Sequence, residues 1–247
     1  KRINRKRILG FIANHYHTNQ IVISSVGNIR FDRLVKLVNE AFGCLPENLR
    51  TDSRQVFTAS EPKQLIKPRR NFQTHCILGN HAYGYADARR TALALLTNLL
   101  GGPAMNSRLS MALRERHGLS YNIESVYTPY AETGSFMIYL GTDNGSLDKA
   151  LTLVRAELDK FIAKSLGTIQ LHTAKQQFIG QIAISFESNL NDALSMAKSM
   201  LVYDTVDTHE VLISKINAIT ADLVLEVAHE IFDPSGMSML VYKNRKA

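Results

Sequence analysis

Arg114 and Tyr121 stand seven positions apart in the stretch LRERHGLSY, with Gly118 between them and the pair Gly101-Gly102 a short way upstream. Arginine is a fixed cation with forked donors, and tyrosine is a neutral donor that survives beside a developing oxyanion. Together such groups can grip a peptide carbonyl and stabilise its tetrahedral intermediate, provided a metal or a nucleophile faces them from elsewhere. A plainer description also fits: an exposed helix arginine, followed by an aromatic residue on a strand face. Residue types and spacing leave both open.

The rest of such a site is not readable nearby. A zinc hydrolase needs at least two well-spaced imidazoles and a base. Of the eight histidines, His209-Glu210 and His229-Glu230 each begin a His-Glu-x-x-His pattern, but Ile213 and Asp233 occupy the closing positions. The inverted form, His-x-x-Glu-His, requires a Glu-His dipeptide that is absent from the chain. His75 and His81 are six apart, so on an unbroken strand they share a face. The loop LGGPAMNSRL lacks the Gly-Lys-Ser/Thr ending of a phosphate-binding loop, and no Gly-x-Ser-x-Gly elbow marks a serine nucleophile. Cys44 and Cys76 form neither a metal spacing nor a disulfide framework.

The elements that must hold Arg114 and Tyr121 follow from periodicity. Ile8, Phe11 and Ile12 keep helical spacing, residues 20–26 (QIVISSV) predict a buried strand, and Phe31, Leu34, Val35, Val38 and Phe42 line one helix face up to Gly43. Residues 44–70, with Pro46, Pro62 and Pro68 and no sustained period, read as a connector. A strand at 75–81 opens a second unit, followed by a helix carrying Ala92, Leu95, Leu96 and Leu99 and a shorter helix near 105–116. Two strands, 119–128 and 133–142, then form a hairpin. A long helix capped by Ser146, further helices near 168–186, 189–203 and 207–217, a last helix capped by Thr220 and a strand at 237–242 complete the chain. This order predicts an α+β fold, a mainly antiparallel sheet with helices packed on one face. Residues 11–28 and 226–244 share a plan of helix end, polar turn, strand and polar exit. A match this short also arises by chance; if it is a true repeat, the first stretch is the tail of an earlier copy of the unit, and the fold is preceded by the helix–strand–helix tail of a homologous domain.

Composition bounds the remainder. The 247 residues are 45% apolar and 21% charged, which is a globular profile. No apolar run reaches the roughly 20 residues of a membrane helix. The formal charge of +7 is partly the run Lys1, Arg2, Arg5, Lys6 and Arg7, and with no nucleic-acid motif beside it this reads as a solvated face, with no nucleic acid as partner.

Residues 98–142, NLLGGPAMNSRLSMALRERHGLSYNIESVYTPYAETGSFMIYLGT, resemble the insulinase/pitrilysin family of inverted-motif zinc metallopeptidases, in the mitochondrial-processing-peptidase-like branch. The resemblance is to the domain that lacks the metal motif. Gly101, Gly102, Ser107, Arg108, Leu109, Leu113, Arg114, Glu115, Gly118, Leu119 and Tyr121 fall in register with the family pattern. Pro103 stands where the family often has a small residue, and His117 and Ser120 replace commoner choices.

That resemblance implies a division into 1–49, the tail of a metal-bearing first domain, 50–69, a linker, and 70–247, a second domain. It implies Arg114 on the scissile carbonyl and Tyr121 on the oxyanion, from one wall of a clamshell whose other wall holds zinc. The zinc ligands would lie upstream of Lys1, so this chain alone would bind no zinc and hydrolyse no peptide. Peptide is the expected substrate. The expected partners are the zinc-bearing domain and a second copy or a paralogous subunit, in the cytoplasm or the periplasm. The other expectation is a non-catalytic accessory subunit used for pairing and peptide binding.

Overall fold

The computed structural model describes residues 3–51 and 55–244. Among these the chain divides into two compact units, one from the first 55 residues with 181–208, the other from Val56–Gly180 with the residues from His209 on.

In the first unit, α1 (Arg5–His15) starts at Asn4, whose side chain accepts from the Arg7 N–H, and α2 (Phe31–Phe42) ends at Gly43. Asn48 ties the connecting segments: its amide donates to the Ala13 and Tyr16 carbonyls at 3.0 and 2.8 Å, and its own carbonyl accepts from the Thr18 N–H at 2.7 Å. α6 (Asn189–Tyr203) belongs here, and the Ser24 hydroxyl donates to the Ala193 carbonyl at 2.7 Å. Neither α1 nor α2 has a buried residue, although α2 carries the expected apolar stripe. Residues 20–26 alternate in exposure as a strand would, but they are neither buried nor paired among the described residues. The expected buried strand is therefore corrected to an extended segment, because a strand exists only where a neighbour takes up its backbone N–H and C=O groups.

The second unit is built on a five-stranded sheet in the order β1 (Gln64–Arg69), β5 (Ser238–Asn244), β2 (Thr74–Ala82), β4 (Gly134–Thr142) and β3 (Ser120–Pro129). Every pairing is antiparallel except β1 with β5. β1 lies where the sequence reads as a connector. Its Pro68 is compatible with a strand only at a sheet edge, which is where it sits.

Alternation decides the two faces. Cys76, Leu78, Phe136, Ile138, Leu140 and Val241 point to one side and are buried beneath α3 (Arg90–Gly101), α4 (Leu147–Ala163) and α8 (Ala221–Ile231). Phe232 joins the layers, with its ring 5.1 Å from that of Phe136 and 6.0 Å from that of Phe161. The opposite face carries no helix of this unit and presents His75, Ile77, Met137, Tyr139, Leu240 and Tyr242. This is the expected α+β arrangement.

Thr220 caps α8 through the Leu223 N–H at 3.1 Å, as expected, whereas Ser146 makes no side-chain cap on α4. Two further helices, α5 (Thr168–Phe186) and α7 (His209–Asn217), complete the elements.

Candidate active site

The segment from Ser107 to Asn122 carries both residues singled out by their chemistry. Its expected helix is a π-helical turn, Ser110–Glu115, in which the Arg116 N–H reaches five residues back to the Met111 carbonyl at 3.1 Å. Such wide turns are rare and are found frequently at functional sites. Leu113 and Ala112 are buried and fix the turn to the core, while Arg114 at its end keeps a side chain 33% exposed.

The turn closes on glycine. Gly118 has φ +58, a left-handed conformation that an L side chain resists. Its N–H donates to the Arg114 carbonyl at 3.0 Å, and the next N–H, that of Leu119, donates to the Leu113 carbonyl at 2.8 Å. The imidazole Nδ1 of His117 lies 2.7 Å from the Ala112 carbonyl, so this histidine braces the turn.

Beyond the turn, Ser120 pairs with Thr142 and Asn122 with Gly141, and Tyr121 falls between them as the extra residue of a β-bulge. Bulges re-aim side chains, and Tyr121 is 80% exposed. The bulge is stitched in place from below. The Thr142 hydroxyl donates to the Leu119 carbonyl at 2.6 Å, and the buried Ser120 hydroxyl lies 2.7 Å from the Gly141 carbonyl and 2.9 Å from that of Asn122. Gly101 supports the far side of β3: a Cβ there would stand 2.7 Å from the Ser125 backbone N, so α3 rests directly on the strand.

Both expected residues therefore leave one braced turn and reach solvent. Glu115 was missed by sequence reasoning: its carboxylate accepts from Arg114 Nε at 2.8 Å. The signal was the Arg-Glu dipeptide, but neighbours one apart on an α-helix do not face each other, and only the end of the wide turn allows the contact. Arg108, also in the recognised pattern, has another role. Its guanidinium lies 3.9 Å over the Phe161 ring, and burial holds its pKa below the usual value, against the opposing pull of Glu157.

The remaining chemistry-bearing residues do not converge on this pair. Among the described residues no three His, Cys, Asp or Glu side chains come together to hold a metal ion, so the described residues do not fit zinc and no step is assigned to it here. His75 and His81 share the open face of the sheet, as their spacing predicts. Cys76 is fully buried, and desolvation pushes its thiol up to about 11, which removes it as a neutral-pH nucleophile. Among the described residues no helix is long and apolar enough to cross a membrane.

Comparison with known proteins places the fold and the family. A family model described as the peptidase M16 inactive domain matches residues 2–178. An uncharacterized zinc protease of Streptomyces coelicolor is 28% identical over 233 residues, covering 91% of this chain and 50% of that protein. An uncharacterized zinc protease of Bacillus subtilis is 26% identical over 222 residues, covering 90% of this chain and 54% of that protein. The chain thus spans about half the length of these relatives. A crystal structure of a peptidase M16 inactive domain from Pseudomonas fluorescens shares the fold at a TM-score of 0.80 and 19% identity, over 90% of this chain and 53% of that one. A protease from Helicobacter pylori follows at 0.74 and 17%, over 88% and 53%.

Proposed function

Since the chain belongs to the peptidase M16 inactive-domain family, we propose that it is the C-terminal half of a zinc metalloendopeptidase and that Arg114 and Tyr121 are its contribution to the chemistry. The observation that carries this reading is the bulge at Tyr121, which exposes a phenol next to a turn whose other end exposes a guanidinium.

In this reading the Arg114 guanidinium binds the carbonyl region of the scissile peptide, with Glu115 fixing its orientation. The Tyr121 hydroxyl donates to the oxygen as negative charge develops on it. Glu115 holds the Arg114 guanidinium and the bulge fixes the backbone that carries Tyr121 before substrate arrives, and such pre-positioning is the condition under which donors stabilise a transition state more than a ground state. The activated water and its base come from the zinc-bearing half, outside this chain, and the two halves enclose the peptide as a clamshell.

An accessory role in peptide binding without catalysis is the alternative, favoured by the named inactive character of the matched domain. The sequence of the full-length protein separates the two by the presence or absence of His-x-x-Glu-His. Where that motif is present, Arg114→Ala in the full-length protein is expected to lower peptide turnover with its melting temperature unchanged. Equal turnover removes the assigned role.

A further inference from the structure

The open face of the sheet continues from Tyr121. The strand registers carry one rung across all five strands: Asn122 on β3, Gly141 on β4, His75 on β2, Tyr242 on β5 and Lys67 on β1. Asn122 adjoins Tyr121, so the rung begins at the bulge. Along it, His75 Nδ1 lies 2.8 Å from the Tyr139 hydroxyl with the two rings stacked at 6.0 Å, and the Arg69 guanidinium stands 5.4 Å from the Tyr242 ring centre. Gly141 bears no side chain, and the space a Cβ would take is bordered by Gln73, the Tyr139 hydroxyl and His75, at 3.4, 3.5 and 3.9 Å.

The charge on this face is divided by strand. Lys67 and Arg69 stand on β1 at one edge, and the one strand carboxylate, Glu124, stands on β3 opposite Tyr139, while Lys243 has the parity of Val241 and lies on the other face. Between Pro62 and Ala86 no Asp or Glu occurs, while Lys63, Lys67, Arg69 and Arg70 do. Lys67 and Arg69 are exposed, and neither forms an ion pair among the described residues. Lysine and proline on an edge strand guard it against pairing with other chains, and Lys67 and Pro68 serve that end. Edge protection does not require an imidazole–phenol pair two strands further in, or a run from Pro62 to Ala86 without a carboxylate.

We propose that this rung is a subsite for an acidic side chain of the extended peptide whose scissile carbonyl meets Arg114 and Tyr121. It rests on the reading of that pair given above. Strands lie about 4.8 Å apart, so His75 is roughly 10 Å and Lys67 roughly 19 Å across the sheet from β3. An extended peptide advances about 3.3 Å per residue, which puts the favoured acid about three to six residues from the scissile bond. There Lys67 and Arg69 supply charge, and the His75–Tyr139 pair supplies a donor held in one orientation.

The test is equilibrium binding of the chain to a fluorescent twelve-residue peptide with two glutamates, beside its glutamine twin, read by anisotropy at about 50 mM salt, where exposed charges are weakly screened. The glutamate peptide is expected to bind about five- to ten-fold tighter, two exposed charge pairs each contributing near the middle of their usual range. Lys67→Gln with Arg69→Gln abolishes that preference and leaves the glutamine twin and the melting temperature unchanged. Tyr139→Phe reduces the preference about two-fold. Equal affinity for the two peptides, or a preference that survives the double substitution, overturns the proposal. So does a single-stranded oligonucleotide that binds more tightly than the glutamate peptide and is lost with the same substitutions. Because no turnover is read, failure here leaves the Arg114 and Tyr121 assignment standing, and an inactive full-length protein leaves the binding result standing.

Discussion

Leu119 donates its N–H to the carbonyl of Leu113 at 2.8 Å, across the left-handed Gly118. That bond closes the wide turn and sets where Arg114 leaves it and where Tyr121 begins the next strand. The positions of a guanidinium and a phenol thus depend on one backbone conformation that contains neither of them.

Gly118→Ala is therefore expected to destabilise the second unit by about 1–2 kcal/mol, the cost of a left-handed conformation for an L residue. For a domain of this size the melting temperature falls by about 3–6 °C. Gly118→Asn, which tolerates that conformation better, loses less. Thermal unfolding followed by circular dichroism checks the order; an alanine variant as stable as the parent removes the constraint.

Gly101→Ala tests the seat beneath β3. Its added methyl meets the Ser125 backbone N at 2.7 Å, and a backbone atom cannot step aside as a flexible side chain can. Overpacking of this kind costs about 1–3 kcal/mol. Urea unfolding is expected to show a lower midpoint at an unchanged slope.

Arg108→Lys is expected to cost about 1 kcal/mol. Lysine keeps the charge but loses the planar contact with the Phe161 ring at 3.9 Å. Arg108→Met, which retains the apolar stem, narrows the loss if stem packing rather than the cation holds the site. Unfolding midpoints of the two variants separate these contributions.

Stability should respond to pH at both extremes through one cluster. Arg89 donates to both Asp87 carboxylate oxygens and to Glu230, and the Tyr83 hydroxyl donates to Glu230 at 2.8 Å. Hydrogen bonding to Arg89 lowers the Asp87 pKa from its ordinary 3.8, with burial opposing. Its contribution is therefore present above that value and is lost as pH falls below it. Burial raises the Tyr83 pKa above its ordinary 10.0, helped by the hydrogen bond to Glu230 and its charge, so that contribution holds below pH 10 and is lost as pH climbs past it. Unfolding curves of Asp87→Asn should be flatter than the parent's below pH 4, and those of Tyr83→Phe flatter above pH 10.

Residues with a strong local signal were legible in the sequence. α3 announced itself through Leu95, Leu96 and Leu99 before a glycine pair, the β3–β4 hairpin through its alternation, and α8 through Thr220. Features set by partners were not. Residues 20–26 have the composition of a strand but no paired strand among the described residues, and β1 looks like a connector until β5 supplies its ladder. At the site, residue types left Arg114 and Tyr121 open between two readings, and the family resemblance singled them out. The π-helical turn and the bulge were hidden, because both come from backbone register, which side-chain periodicity does not encode.

In the proposed function the Tyr121 hydroxyl donates to a developing oxyanion. This role is tested most directly by kcat for peptide hydrolysis in the full-length protein bearing Tyr121→Phe, a substitution that removes one exposed oxygen and leaves the bulge intact. A fall of about 100- to 1,000-fold at unchanged stability is predicted, the usual consequence of losing one such donor. A kcat within two-fold of the parent's would contradict the account.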